Sequence, residues 1–467
     1  MKKVILFAML AFALVAVPAF ASVQNVKVSG DIDNTWLVRH DFDLGTSGAA
    51  PIYEQNLFLT QTRLRVDADL TDNVQATVGL LNERVWQEAN DDVANDIDLN
   101  LAYVTMREML YSPLTVIIGR QVFAYGNSFV IDASGTNNNV AEGGLNGIAE
   151  DFTKRTALNA IRMVLDYNPL TIDVVFAKVD ENTVVGLGAH DDDVDLYGAN
   201  ANYQIGDEWN TVVEGYFWAK IDQSTKTGGV GRKNDTVYMP GARVSTNPIK
   251  GLNLQAEGAM QRGNKATTLS GGDNVHREAQ GGQIIANYML PFESTAQWSP
   301  VVTGVYTYVS GDSGPAEAGT LAGDDHYNAW DPMFENQGGG TIYNTLFNLT
   351  NAHIVGGKLA IKPIQDVTTT VTWDRLWLDK ALDDGDFSGD CSGATCLTLL
   401  QPDGTTLTPK MTTNTMLGDE FGAGVVYDYT EDVQIGARVS AFVPGGAFHE
   451  DNNEAAYQSV VNANVKF

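Results

Sequence analysis

The feature that most restricts what this chain can become is a period of two, repeated along almost its whole length. From Arg63 to Leu70, the residues Leu64, Val66, Ala68 and Leu70 alternate with Arg63, Arg65, Asp67 and Asp69. Successive side chains of a strand point to opposite faces, so this stretch has one apolar and one charged face. The alternation returns in Ile172, Val174 and Phe176, in Leu252, Leu254, Ala256, Gly258 and Met260, in Val433, Ile435, Ala437, Val439 and Ala441, and in Val461, Ala463, Val465 and Phe467. About eighteen strands are expected, at 24–38, 56–70, 74–86, 97–109, 114–126, 156–167, 170–180, 193–204, 209–221, 235–245, 251–262, 278–289, 297–310, 353–362, 366–379, 417–429, 433–443 and 455–467. Most are 11 to 15 residues long. Soluble strands usually hold about five or six residues, whereas a tilted membrane strand needs about 9–11.

The connections sort by parity. The even-to-odd links are short: Thr71-Asp72-Asn73, the stretch around Pro113, Asn168-Pro169, Gly206-Asp207, Asn247-Pro248, the stretch around Pro291, Lys362-Pro363 and Thr430-Glu431-Asp432. Proline cannot donate to a strand ladder and belongs at strand ends and turns. The odd-to-even links are mostly long, polar and Gly-rich, at about 127–155, 181–192, 222–234, 263–277, 311–352, 380–416 and 444–454, with only 39–55 and 87–96 modest. This layout predicts an all-β fold, a transmembrane antiparallel β-barrel with short periplasmic turns and long extracellular loops. Closure is compulsory, because hydrocarbon cannot hydrogen-bond an open sheet edge. A soluble sandwich or solenoid would have shorter strands and no reason to sort its loops. An even strand count brings both chain ends to the periplasmic side.

The start of the chain fits export. Lys2 and Lys3, the aliphatic run Val4 to Val17, Pro18 and the small-x-small Ala19-Phe20-Ala21 have the layout of a cleaved signal peptide, residues 1–21, which leaves 22–467 for the barrel. No apolar run of 18 or more follows, so no spanning helix is expected. The localisation this implies is the outer membrane of a Gram-negative bacterium, with outer-membrane lipid, lipopolysaccharide and the barrel assembly machinery as partners. The chain has 29 Lys+Arg and 58 Asp+Glu, and without Lys2 and Lys3 its net charge is −31. Nucleic acid is thereby excluded as a natural partner, since phosphate binding wants a basic face.

Several groups invite chemistry. Trp36, Trp86, Tyr103, Tyr125, Tyr167, Tyr203, Trp209, Tyr288, Trp298, Trp373, Trp377, Tyr427 and Tyr429 fall near strand ends, where barrels wear aromatic girdles; β-propensity alone also enriches aromatics. Cys391 and Cys396 are close enough to form a local disulfide in an oxidising compartment, with limited stabilisation from so short a loop. Asp191-Asp192-Asp193, Asp324-Asp325 and Asp383-Asp384 are solvated charge runs that bind divalent cations at most weakly, and no cofactor or dedicated metal site is expected. His40, His190, His276, His326, His353 and His449 are scattered, and there is no phosphate-binding loop, nucleophile elbow or haem-attachment motif.

Several stretches resemble the alginate-export porin family: Thr62-Arg63-Leu64-Arg65 with Asp67 to Val74, Leu99 to Val104, Gly119-Arg120-Gln121 with Tyr125-Gly126, and Gly418 to Phe421 with Tyr427 to Val433, Phe442 to Gly445 and the terminal Phe467. The resemblance implies an eighteen-stranded barrel whose arginine-rich lumen conducts an anionic polysaccharide, and it matches Arg63, Arg65 and Arg120. From the residues themselves, Arg63 and Arg65 alternate with lipid-facing Leu64 and Val66 and so face inward. By strand position Arg107, Arg162, Arg243, Arg375 and Arg438 join them, because a charge on the lipid face is costly. Arginine keeps its charge and offers a fork of donors to carboxylates, and rings of fixed charge set pore selectivity. The same arginines are equally open to pairing with Asp67, Asp69, Glu83, Glu214, Glu257 and Asp374 and simply filling the interior.

The expected function is an outer-membrane channel, not an enzyme, that passes small solutes or an anionic polysaccharide. The alternative is a plugged barrel that displays binding loops for adhesion. The loops 311–352 and 380–416 are long enough to fold into the mouth or lumen.

Overall fold

The computed structural model describes residues 25–45, 54–86, 97–110, 112–132, 145, 148–180, 193–223, 234–266, 275–290, 298–312, 326–337, 341–382, 397, 399–401 and 406–467. The expected signal peptide, Cys391 and Cys396, Pro291, His190 and most of the acidic runs lie outside these residues.

Eighteen long strands carry the fold: β1 (Asn25–His40), β2 (Gln55–Thr71), β3 (Val74–Val85), β4 (Asp98–Met106), β5 (Leu114–Gln121), β6 (Leu158–Asp166), β7 (Leu170–Asp180), β8 (Val194–Gln204), β9 (Val212–Asp222), β10 (Asp235–Ile249), β11 (Leu252–Lys265), β12 (Val275–Met289), β13 (Val301–Val309), β14 (Ala352–Ile364), β15 (Val367–Leu378), β16 (Met416–Asp428), β17 (Val433–Pro444) and β18 (Ala456–Lys466). Each falls on one of the segments that alternation predicts. Neighbours in sequence pair antiparallel, and the sheet closes through β1 and β18, in register from Asp31↔Lys466 to His40↔Tyr457. At this seam Gly30 and Phe467 exchange backbone bonds of 2.8 and 3.0 Å, and a Cβ on Gly30 would meet the Phe467 ring at 2.7 Å. The missing side chain lets the terminal ring pack directly against Gly30.

Two turns sit later than their prolines suggest. β10 runs through Pro248 to Ile249, with a register shift between Thr246 and Ile249, and turns at Lys250-Gly251, where Gly251 has φ +85°. β14 likewise runs through Pro363, with a shift between Ile361 and Ile364. Proline is tolerated in a strand at such an irregularity, where no ladder N–H is required.

Register fixes the two faces. Val78, Leu80, Phe217, Ile284, Val371 and Val439 are exposed on the outward face, where lipid covers them. The buried apolar cluster lies inside the barrel: Val175, Leu196, Trp218, Val237 and Met239 of the β7–β10 wall meet Phe129, Ile131, Trp330, Met333 and Phe334 from connecting segments. Trp36, Trp86, Tyr167, Tyr203, Trp209, Trp298, Tyr427 and Tyr429 are exposed as a girdle requires. Tyr103 and Tyr125 are not girdle residues, because they face the lumen: the Tyr103 hydroxyl accepts from Arg65 at 3.2 Å, and Tyr125 packs on Trp218 at 5.0 Å.

Candidate functional site

The lumen is where charge collects, and its shape is set by segments folded in from the outer end. Residues 128–132 and 334–336 form a small ladder inside the barrel, with Asp132 N–H to Phe334 O at 2.7 Å, Phe334 N–H to Val130 O at 3.1 Å and Asn336 N–H to Ser128 O at 2.9 Å. Phe129 stacks on Trp330 at 5.6 Å. Lys220 Nζ bonds both Asp331 oxygens at 2.7 and 2.8 Å, and the buried Arg277 bonds Asp235 at 2.8 Å and lies 3.9 Å from Asp331. Burial alone would raise the Asp331 carboxyl, but Lys220 and Arg277 beside it hold it down to about 2. The segment 150–157 is fixed to the opposite wall. Its Thr153 hydroxyl and Lys154 N–H donate to Glu83 at 2.7 and 2.8 Å, Arg155 pairs with Glu83 and Asp98, and Asp151 pairs with the fully buried Arg39. The short helix α1 (Ile342–Leu346) ends its in-folded segment on Glu420, which accepts from the N–H groups of Ile342 and Tyr343 at 3.1 and 2.9 Å.

The arginines expected to line this space divide into groups. Arg63 and Arg65 are on the inward face of β2, with Arg63 Nε 2.7 Å from Asp31 and Arg65 bidentate to Asp67 at 2.8 and 2.9 Å. Arg162 pairs with Asp173 and lies over Tyr125 at 5.8 Å. Arg243 pairs with Glu214 and donates to Gln255 at 2.7 Å and Asn127 at 3.2 Å. Arg438 is inward on β17, and its Nε donates to Ser440 at 3.3 Å.

Three arginines stand elsewhere. Arg107 is exposed on the turn after β4 and reaches Gln75 at 3.4 Å. Arg120 follows Gly119, whose φ is +125°, and is in register with Ala102 and the exposed Asn159, out of step with the Arg162 row. Arg375 contradicts the inward assignment. It shares the outward face with Val371, Trp373 and Trp377, is bidentate to Asp419 at 2.9 and 3.0 Å, and lies 5.7 Å from the Trp373 ring. It sits near the outer end of β15, where an outward charge costs only about 0–1 kcal/mol, against about 2–4 at the bilayer midplane. The rule that strand charges turn inward therefore fails at the rim.

Among the described residues, two cavities open in the lumen. The larger, about 1070 Å³, lies towards the short turns and is lined by Arg63, Arg65, Lys154, Lys358, Arg438 and Lys466 against Asp31, Asp33 and Asp151. The smaller, about 320 Å³, lies between β12–β15 and α1, and is lined by Gln283, Thr307, Tyr343, Thr372 and Asp374 among others. Lys358 and Arg438 line both. Among the described residues no three His, Cys, Asp or Glu side chains converge as a metal site.

Reading the sequence for guanidinium forks passed over the lysines, so Lys358 was missed although its alternation with Leu359 and Ile361 marks it as inward. Arg39 and Arg277 were missed for another reason: the lumen face around them is itself apolar, with Leu37 and Ala279 beside them, and alternation gives no contrast there. The in-folding of 128–132 and 150–157 left no local mark.

The fold is similar to that of solved outer-membrane channels. OccD3 (OpdP) of Pseudomonas aeruginosa is 11% identical, with a TM-score of 0.52, over 95% of this chain and 92% of that one. OccK2 (OpdF) of the same organism, solved in complex with glucuronate, is 10% identical at 0.51, over 95% and 99%. OccAB3 of Acinetobacter baumannii is 9% identical at 0.53, over 95% and 100%. At such identities the likeness is one of fold. In sequence, the family described as Alginate export matches residues 25–462. No curated protein matches the chain.

Proposed function

The chain belongs to the alginate-export family, and from that premise we propose that this outer-membrane channel passes anionic, carboxylate-bearing solutes, sugar acids or their polymers, through the larger lumen cavity. The observation that carries this reading is local charge. The chain as a whole has a net charge of −29, yet six cationic and three acidic side chains line that cavity. Fixed charge at a constriction, not the total over the molecule, selects ions. Acids elsewhere are used up in holding in-folded segments, Glu83 and Asp98 on Arg155 and Asp331 on Lys220 and Arg277, or in pairing within the wall, Glu214 on Arg243. The chemistry is that of transient ion pairs between carboxylate and ammonium or guanidinium in wet surroundings, each worth about 0.2–1 kcal/mol, strong enough to bias entry and weak enough to allow exit. The glucuronate bound to OccK2 supports the same solute class.

The test is the reversal potential of the purified chain in planar bilayers under a salt gradient, followed by titration with glucuronate. Anion selectivity with a concentration-dependent reduction of current is the expected result. A cation-selective pore would sink the reading. Complete absence of conductance would favour a plugged barrel that displays loops.

A further inference from the structure

We propose that Lys358 is the specificity-determining residue of the path, the point at which a solute carboxylate is bound directly as it passes from the larger cavity into the smaller one. The proposal rests on the reading that the solute is anionic, and it names the group that recognises it.

Position comes first. Lys358 lines both cavities, the one lysine among the described residues to do so. It is exposed on the inward face of β14, in register with Thr303 and Thr372. Availability comes second. Arg63, Arg65 and Lys154 already bond Asp31, Asp67 and Asp33, so their fields act on a solute but part of their donor capacity is taken. Lys358 has no hydrogen bond or ion pair among the described residues. An ammonium group offers three donors on a flexible stem.

A second, independent observation lies beside it. The Thr372 hydroxyl, on the register partner of Lys358, is buried without a hydrogen-bond partner. Such a group normally has one. Gly422 packs closely on one side of it, where a Cβ would meet Thr372 Oγ1 at 2.4 Å, and on the other side Thr372 lines the smaller cavity. An ammonium and an unpartnered hydroxyl on adjacent strands match a carboxylate, one oxygen to each, once the Thr372 side chain turns its hydroxyl into the smaller cavity that the residue lines. Arg438 lies on the same wall and adds attraction, whereas Asp374, two residues beyond Thr372 and lining the smaller cavity, repels an anion that moves on. Binding at Lys358 is thereby kept transient, as conduction requires.

The experiment compares Lys358→Met, Lys358→Arg and Arg63→Met in reconstituted channels, with glucuronate as the probe. Both Met variants remove one positive charge from the same cavity. If Lys358 ligates the carboxylate, the half-blocking glucuronate concentration rises about fivefold in Lys358→Met, less than about twofold in Arg63→Met, and stays within about twofold of wild type in Lys358→Arg. Thr372→Val gives an intermediate rise. Equal effects of the two Met variants would overturn the proposal, because the field alone would then account for the selectivity. Unfolding temperature and strand content serve as controls, and Lys358 is exposed and unpaired, so its replacement leaves both unchanged. The two readings fail differently: cation selectivity in the wild type refutes the anionic solute, whereas an anion-selective wild type with equal Met variants refutes only Lys358.

Discussion

The two sides of the barrel interior solve opposite problems. On the β6–β12 side, inward residues are Val175, Leu196, Trp218, Val237 and Met239, covered by Phe129, Trp330 and Phe334, with ion pairs at Arg162–Asp173, Arg243–Glu214 and Arg277–Asp235. This is a packed core, and its charges are spent on one another in shared ion pairs. On the β14–β17 side the inward positions include Gly356, Gly422 and Gly424 beside Lys358, Thr370, Thr372 and Arg438, and the cavities open there. A charge that secures a fold needs a partner, because unpaired burial is expensive. A charge that handles a passing solute needs water and free donors. The difference shows why counting lumen arginines does not identify the path.

The largest effect that would sharpen this contrast is expected from Arg277→Ala. It leaves Asp235 and Asp331 without their buried guanidinium, at a cost of about 3–5 kcal/mol, and releases 326–337 from the wall. Single-channel conductance should rise, and amides of 330–336 should lose hydrogen-exchange protection; unchanged protection would show that the apolar packing suffices.

Acid is the next lever. With its pKa held at about 2, below the unfolded value of about 3.9, the Asp331 contribution is fully present above pH 4 and is lost as pH falls through about 2. It amounts to about 2–3 kcal/mol. Segment protection should therefore weaken between pH 4 and 2 in the wild type, and less steeply in Asp331→Asn, which lacks that titration.

The double replacement Arg63→Ala with Arg65→Ala removes two positive charges from the larger cavity and leaves Asp31 there with Lys154 alone. The reversal potential should shift towards cations with little loss of stability, since both guanidinium groups are nearly half exposed. A stationary potential would exclude that end of the lumen from the path.

The smallest effect belongs to Arg375→Ala. The residue faces outward, so selectivity should be unchanged and stability should fall by less than about 1 kcal/mol. Any change in selectivity would contradict the register of β15.

The strands were legible because a membrane barrel writes its two solvents into every strand. Alternation in Arg63–Leu70 or Val433–Ala441 states which face meets lipid and which meets water, with no need of a neighbour. Inward placement of Arg63, Arg65, Arg162, Arg243 and Arg438 is read in the same way. Arg375 was not legible, since depth in the bilayer depends on tilt and on where the loop begins, and depth decides whether an outward charge is tolerated. Lys358 was visible to alternation but not distinguished by it: what marks it is the lack of an acceptor, a relation among β13, β14 and β15.

By itself, then, the sequence determined a closed cylinder of long antiparallel strands, because period-two patterning and loop parity are local properties that hydrocarbon enforces along each strand. Only the tertiary structure decided which part of the interior stays open. That outcome depends on segments such as 128–132 and 334–336 finding each other across some two hundred residues of chain, and on which carboxylate each cation meets there. Long-range pairing of this kind follows from three-dimensional proximity, which no local pattern encodes.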